Sequence, residues 1–140
     1  MTKKIFRSII LAVIAVLILS FSVVTLLLYN HFSNVSSTYL ADELSLAVQG
    51  VELSGEEYLK ELQSKNYRIT WVAADGTVLY DTEAESAAMD NHKDREEIRE
   101  ALNSGIGESE RYSDTLTLKM IYRAEKLEDG SVLRISATQD

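Results

Sequence analysis

Residues 9–28, IILAVIAVLILSFSVVTLLL, contain no charged residue and no proline. An α-helix needs about 20 apolar residues to cross the hydrocarbon core of a bilayer. In lipid, a helix is also the only single segment that satisfies its own backbone polar groups. The run therefore predicts a membrane-spanning helix, assigned to residues 9–29. A short basic tail (1–8) precedes it, and one acidic, mixed-pattern domain follows it.

Lys3, Lys4 and Arg7 flank the N-terminal end of the run, and no Lys or Arg follows until Lys60. Basic residues beside a span stay on the cytoplasmic side. The expected arrangement is a single pass through the cell membrane, with a cytoplasmic N-terminus and an extracytoplasmic domain. Tyr29, His31 and Phe32 fall at the outer boundary, where amphipathic rings are favoured. A cleaved signal peptide would have a shorter apolar region, about 7–15 residues, closed by a small-residue site. No A-x-A site follows this run, so an uncleaved anchor is expected.

The formal charge of −8 over 140 residues understates the asymmetry. Beyond the span lie 11 Lys and Arg against all 22 Asp and Glu, a formal charge of −11. Such a domain disfavours nucleic acid as a partner. It does not exclude a small anion held by a few local arginines. With no cysteine, disulfides, thiolate metal sites and thiol catalysis are ruled out.

From Tyr29 onward helical spacing continues. Phe32, Val35, Tyr39, Leu40, Leu44, Ala47, Val48 and Val51 form an apolar stripe, which predicts a stalk helix over 30–53. The stripe needs a partner: the sheet of its own domain, the same helix of a second subunit, or both on different faces. Ser54-Gly55-Glu56-Glu57 has capping-box form and predicts a short helix from Glu56 to about Ser64. The period then changes to two. Strands are expected over 68–74 and 77–81, joined at Asp75-Gly76 by a type I′ turn. Asp90 or Asn91 would cap a helix running to about Asn103, with Ile98, Ala101 and Leu102 as its apolar face and Gly105 as its stop. Three strands complete the domain: 108–113, 116–127 and 132–138. Met120, Tyr122 and Ala124 share a face of the second, and Leu133, Ile135 and Ala137 share a face of the third. Asp129-Gly130 turns between them.

The predicted fold class is α+β. An N-terminal transmembrane helix continues into the stalk, and residues 54–140 form a five-stranded antiparallel sheet with flanking helices. Two hairpin units joined by a helical crossover are the element order of a PAS-like sensor domain. The segments RITWVAADGTVLYDT (68–82), NHKDREEIREAL (91–102), GESERYSDTL (107–116) and LEDGSVLRIS (127–136) occur in that order. Together they resemble the extracytoplasmic sensor region of phosphate-regulon-type membrane sensor histidine kinases. The resemblance covers nearly the whole chain. It implies a homodimer joined through stalk and transmembrane helices, and a second span followed by a kinase core that uses ATP and Mg and passes phosphate to a cytoplasmic response regulator. None of those kinase elements occurs in these 140 residues. No cofactor is expected for this segment, and the chain reads as the sensing part of such a protein. The alternative is a free-standing, membrane-anchored extracytoplasmic module that modulates a partner receptor.

For a ligand, Arg95, Arg111, Arg123 and Arg134 are the cations expected to reach a pocket between the sheet and the crossover helix. Arginine pairs bidentately with carboxylate or phosphate. Arg111 and its neighbour Tyr112 are the first choice. Tyr122 is a further candidate wall, as are Trp71 and Tyr80 if they are not plain core. His92 lies in an Asp90-Asn91-His92-Lys93-Asp94 cluster, which reads as a helix start rather than a metal site, with His92 a pH-responsive contact. The paired acids Glu96-Glu97 read as charges at a helix N-terminus. No residue pair suggests catalysis.

Overall fold

The computed structural model describes residues 2–62, 66–112 and 118–138, with side chains at 3–31, 36–62, 66–112 and 118–138. Its elements are α1 (Thr2–Ser54), α2 (Glu56–Glu61), β1 (Arg68–Val72), β2 (Val78–Asp81), a 3₁₀ turn (Ser86–Ala88), α3 (Glu96–Ser104), β3 (Ile106–Tyr112), β4 (Lys119–Lys126) and β5 (Val132–Thr138). The chain divides into two units, Met1–Val35 and Ser36–Asp140.

The first unit is the N-terminal part of α1. Its large apolar side chains, from Ile5 to Tyr29, are exposed. It is the one helix among the described residues that is long and apolar enough to cross a membrane. A helix apolar on all sides is stable only where its whole surface is covered, as a bilayer would do.

The second unit is an α+β domain built on a five-stranded antiparallel sheet in the order β2-β1-β5-β4-β3. β5 is central, and its residues Val132 to Ser136 are buried on both faces. Side chains alternate across a strand, so β5 divides cleanly. Leu133 and Ile135 join Ile69 and Ile121 against Leu40, Leu44, Ala47, Val48 and Val51 of α1. Val132 turns the other way, with Val72 and Ala124, against Ile98 and Ala101 of α3. The stalk stripe thus finds its partner in its own sheet. Burying each Leu or Val contributes about 1.5–3 kcal/mol. Tyr39, Leu46 and Leu53 of α1 remain exposed.

Both hairpin turns form, though not as type I′. At the first, the Gly76 N–H donates to the Ala73 carbonyl and the Ala73 N–H to the Thr77 carbonyl, enclosing three residues. Leu127, Gly130 and Ser131 repeat that pattern. In each loop the Asp accepts from the backbone N–H two residues on, Thr77 or Ser131. Only the final glycine need adopt positive φ, 92° at Gly76 and 86° at Gly130.

Two expected caps are also replaced. Helix α1 runs through Ser54, and Gly55, at φ 62°, precedes α2 without a side-chain cap, so the Ser54–Glu57 box is not made. Helix α3 begins at Glu96 instead of near residue 91. Asn91 is used elsewhere: its amide donates to the Asp75 carbonyl at 3.0 Å, and its Oδ1 accepts from the Lys93 N–H at 2.9 Å. The His92 N–H also donates to the Gly76 carbonyl. The loop before α3 is therefore pinned to the β1–β2 turn. The expected start of the middle strand, at Leu116, lies outside the described residues.

Candidate functional site

The α3 face of the sheet is only partly covered. α3 packs over Gly107, where any Cβ would run into the Glu97 carbonyl. Towards the other ends of β4 and β5, the sheet surface is left to a cleft of about 660 Å³. Its wall includes Arg68, His92, Arg95, Arg111, Tyr122 and Arg134.

A continuous polar network forms the floor. Glu97 is fully buried in the first turn of α3. Its carboxylate accepts from Ser109 Oγ at 2.6 Å, from Arg111 Nη2 at 2.6 Å and from Arg134 Nη1 at 3.3 Å. Arg134 also donates through Nη2 to the Thr70 hydroxyl at 2.9 Å, and that hydroxyl donates to Asp81 at 2.7 Å. Asp81 further accepts from Arg68 Nε at 2.9 Å and from the Glu83 and Ala84 N–H groups. Five elements are thereby tied together: β3, α3, β5, β1 and β2.

The electrostatics follow from burial and partners. Burial alone would raise the Glu97 pKa, but Ser109, the helix backbone, Arg111 and Arg134 hold it below the ordinary value. Asp81 is likewise lowered: the Glu83 N–H, Arg68 and Thr70 outweigh burial. Burial lowers the pKa of Arg134, opposed by Glu97. His92 is lowered by burial and by nearby Arg134, opposed by its bond to the Asp90 carbonyl. That carbonyl can only accept, at 2.7 Å from Nδ1, so Nδ1 carries the proton. Arg111 stacks on Tyr122, its guanidinium carbon 4.2 Å from the ring centroid, and Arg134 lies 5.5 Å from the same ring.

The sequence candidates divide by strand parity. Arg111, Tyr122, Arg95, His92 and Arg134 meet at the cleft. Arg123 does not: it lies on the α1 face, donating to Ser37 at 2.6 Å and Glu108 at 3.0 Å. Tyr112 is 73% exposed and outside the cleft. Trp71 and Tyr80 pack with the α1 cluster, Trp71 Nε1 donating to Ser131. Glu97, Arg68 and Asp81 were not singled out as site residues. Glu97 was within reach, since it stands one position before Ile98 and four before Ala101, on the inward face of α3. Asp90, His92 and Asp94 do not assemble into a three-ligand metal cluster.

No protein-family model and no curated protein matches the sequence. The site must be interpreted on its own geometry. It presents clustered guanidinium groups beside the carboxylates of Glu83 and Asp90, one aromatic platform and one imidazole whose pKa is lowered. Such a set can hold a small anion, and the two buried hydroxyls of the network, Ser109 and Thr70, are each committed to a carboxylate.

Proposed function

We propose that these residues are the N-terminal sensor segment of a membrane two-component sensor histidine kinase of the phosphate-regulon type. In this reading residues 9–29 span the membrane, the N-terminus is cytoplasmic and the 54–140 domain is a PAS-like extracytoplasmic detector. The observation that carries it is the strand order β2-β1-β5-β4-β3 with α3 as the crossover between two hairpin units. That order, following a helix apolar enough to cross a bilayer, suits a sensor held at a membrane surface. The four ordered segments that resemble the family supply the kinase part of the reading. The phosphotransfer chemistry would belong to a core outside these residues.

Dimerisation through α1 is part of the same proposal. Tyr39, Leu46 and Leu53 repeat at seven-residue intervals and stay exposed after the sheet has taken the rest of the stripe. A change at the cleft would then shift α1 against the sheet, and the paired helices would carry the shift across the bilayer.

The absence of native cysteine makes the topology directly testable. Single substitutions Ser8→Cys and Glu96→Cys in the full chain are labelled in intact cells with a membrane-impermeant maleimide. The expected result is immediate labelling at residue 96, and labelling at residue 8 only after permeabilisation. The reverse pattern, or equal protection of both sites, would overturn the reading.

A further inference from the structure

Four arginines line the cleft, Arg68, Arg95, Arg111 and Arg134, beside two carboxylates, Glu83 and Asp90. Arg68 is matched by Asp81. Arg111 and Arg134 share one carboxylate, that of Glu97. Arg95 is exposed and makes no side-chain ion pair among the described residues. With Asp81 and Glu97 bonded to these arginines and Glu83 and Asp90 on the cleft wall, the formal charges balance, so the cleft offers an anion unpaired donors rather than net charge.

Unmet hydrogen bonds remain in the same cleft. Arg134 is 5% exposed, and its Nε–H is buried with no acceptor among the described residues. Arg111 Nε is in the same state. A buried donor without a partner is destabilising, and the Tyr122 ring is a weak substitute. Arg123 Nε is equally unpartnered among the described residues but lies on the α1 face, outside the cleft; on Arg111 and Arg134 the two donors share a cleft wall, and that juxtaposition forms an incomplete oxyanion site. His92 adds to it. With Nδ1 committed to the Asp90 carbonyl, Nε2 accepts when the ring is neutral and donates when an anion draws a proton onto it.

We infer that the cleft between α3 and the β4–β5 surface binds a small free oxyanion, a carboxylate or phosphate, through Arg111, Arg134 and Arg95, with His92 as an auxiliary donor. The inference rests on the reading of this domain as a detector, and names the chemistry detected. The guanidinium plane of Arg111, stacked on Tyr122, sets the orientation of the anion. Arg95 sits immediately before the first residue of α3, so a bound anion also meets the positive end of that helix. Occupancy would act on the Glu97–Arg134 tie between α3 and β5, whose opposite face carries the α1 cluster.

The test is isothermal titration of the full chain in nonionic micelles, at constant ionic strength set with chloride. Citrate, succinate and inorganic phosphate are the probes. Saturable binding of at least one probe is expected, and the preference between carboxylates and phosphate names the source. Arg95→Gln, at an exposed position, should weaken binding about tenfold without changing the fold. Arg111→Lys keeps the charge beside Glu97 but loses the planar fork, and should weaken it further. Arg123→Gln, on the opposite face, should leave binding unchanged. No saturable binding by any of the three, or equal weakening by Arg123→Gln, overturns the inference. Failure here with residue 96 labelled outside the cell would remove the oxyanion and leave the membrane-sensor reading intact. Protection of residue 96 would remove that reading whatever the titration shows.

Discussion

Replacing Glu97 by Gln removes the one negative charge between two arginines. Breaking a buried ion pair by neutralising one partner costs about 3–5 kcal/mol, because a buried charge is left uncompensated. Here the loss falls on Arg134, whose side chain is 6% exposed, more than on Arg111, whose side chain is 32% exposed and can turn towards water. The amide can still accept one hydrogen bond. These two features place the cost at the lower end, about 3 kcal/mol, a shift of roughly a hundredfold in the folding equilibrium. Trp71 is the only tryptophan, and it packs on the α1 face, away from the cleft. Its fluorescence therefore reports unfolding of the sheet without sensing the substitution directly. In urea, with a slope of about 1–3 kcal/mol/M for a domain of this size, the midpoint should fall by about 1–3 M. Glu96→Gln, one residue away and exposed, is the matched control and should stay within about 0.5 kcal/mol. If the Glu97→Gln midpoint moves by less than the equivalent of 1 kcal/mol, the carboxylate is not the counter-charge that organises the cleft.

Acid should act on the same network. Glu97 and Asp81 both have folded pKa values below their ordinary values of 4.5 and 3.8. Their stabilisation is thus full above those ordinary values and is lost as pH falls through the lower folded ones, which Trp71 fluorescence against pH would follow. His92 is also lowered below 6.5. Because its folded form favours the neutral ring, it should destabilise the domain as pH drops from about 6.5 towards its folded pKa, with Arg134, Arg95 and Arg68 as the charges that resist its protonation. Its imidazole resonances should titrate below 6.5, and a titration at or above 6.5 would contradict the burial. Gly107→Ala should cost about 1–3 kcal/mol in the urea assay, since its Cβ collides with the Glu97 carbonyl. Leu46→Cys and Leu53→Cys should each cross-link to a second copy on mild oxidation in membranes, whereas Glu96→Cys should not. Equal cross-linking at all three positions would remove α1 as the dimer seam.

Much of the fold was legible because local chemistry and topology agree. The change from helical period to period two at Arg68, the Asp-Gly pairs and the amphipathic 98–102 segment each required one local structure, and each strand boundary lies within a few residues of its expectation. What failed were the N-terminal caps and the turn type, while the stop at Gly105 is where it was expected. Ser54 and Asn91 both have side chains that cap helices in isolation. Asn91 instead bonds across to the β1–β2 turn, a contact that exists only once the hairpin has folded. Likewise Asp-Gly suits both two- and three-residue loops, and the bond from Asp75 to the Thr77 N–H favours the longer one here.

The site was legible where parity was applied and illegible where it was not. Met120, Tyr122 and Ala124 sharing one face of β4 already requires Arg123 to face the other way, and Arg111 and Tyr112, as neighbours on β3, cannot both enter one cleft. Helical phase likewise turns Glu97 inward beside Ile98 and leaves Glu96 in water. The sheet order is harder, because no local pattern states that β1 and β4 flank β5. Once that order is known, the network follows by necessity. Arg134, on the central strand, is only 5% exposed even at the cleft, so its charge must meet an acid from another element. On the α3 face the two buried acids among the described residues are Glu97 and Asp81. Arg134 reaches the first directly and the second through Thr70. The same burial leaves its third nitrogen without an acceptor, and that is the gap the proposed oxyanion would fill.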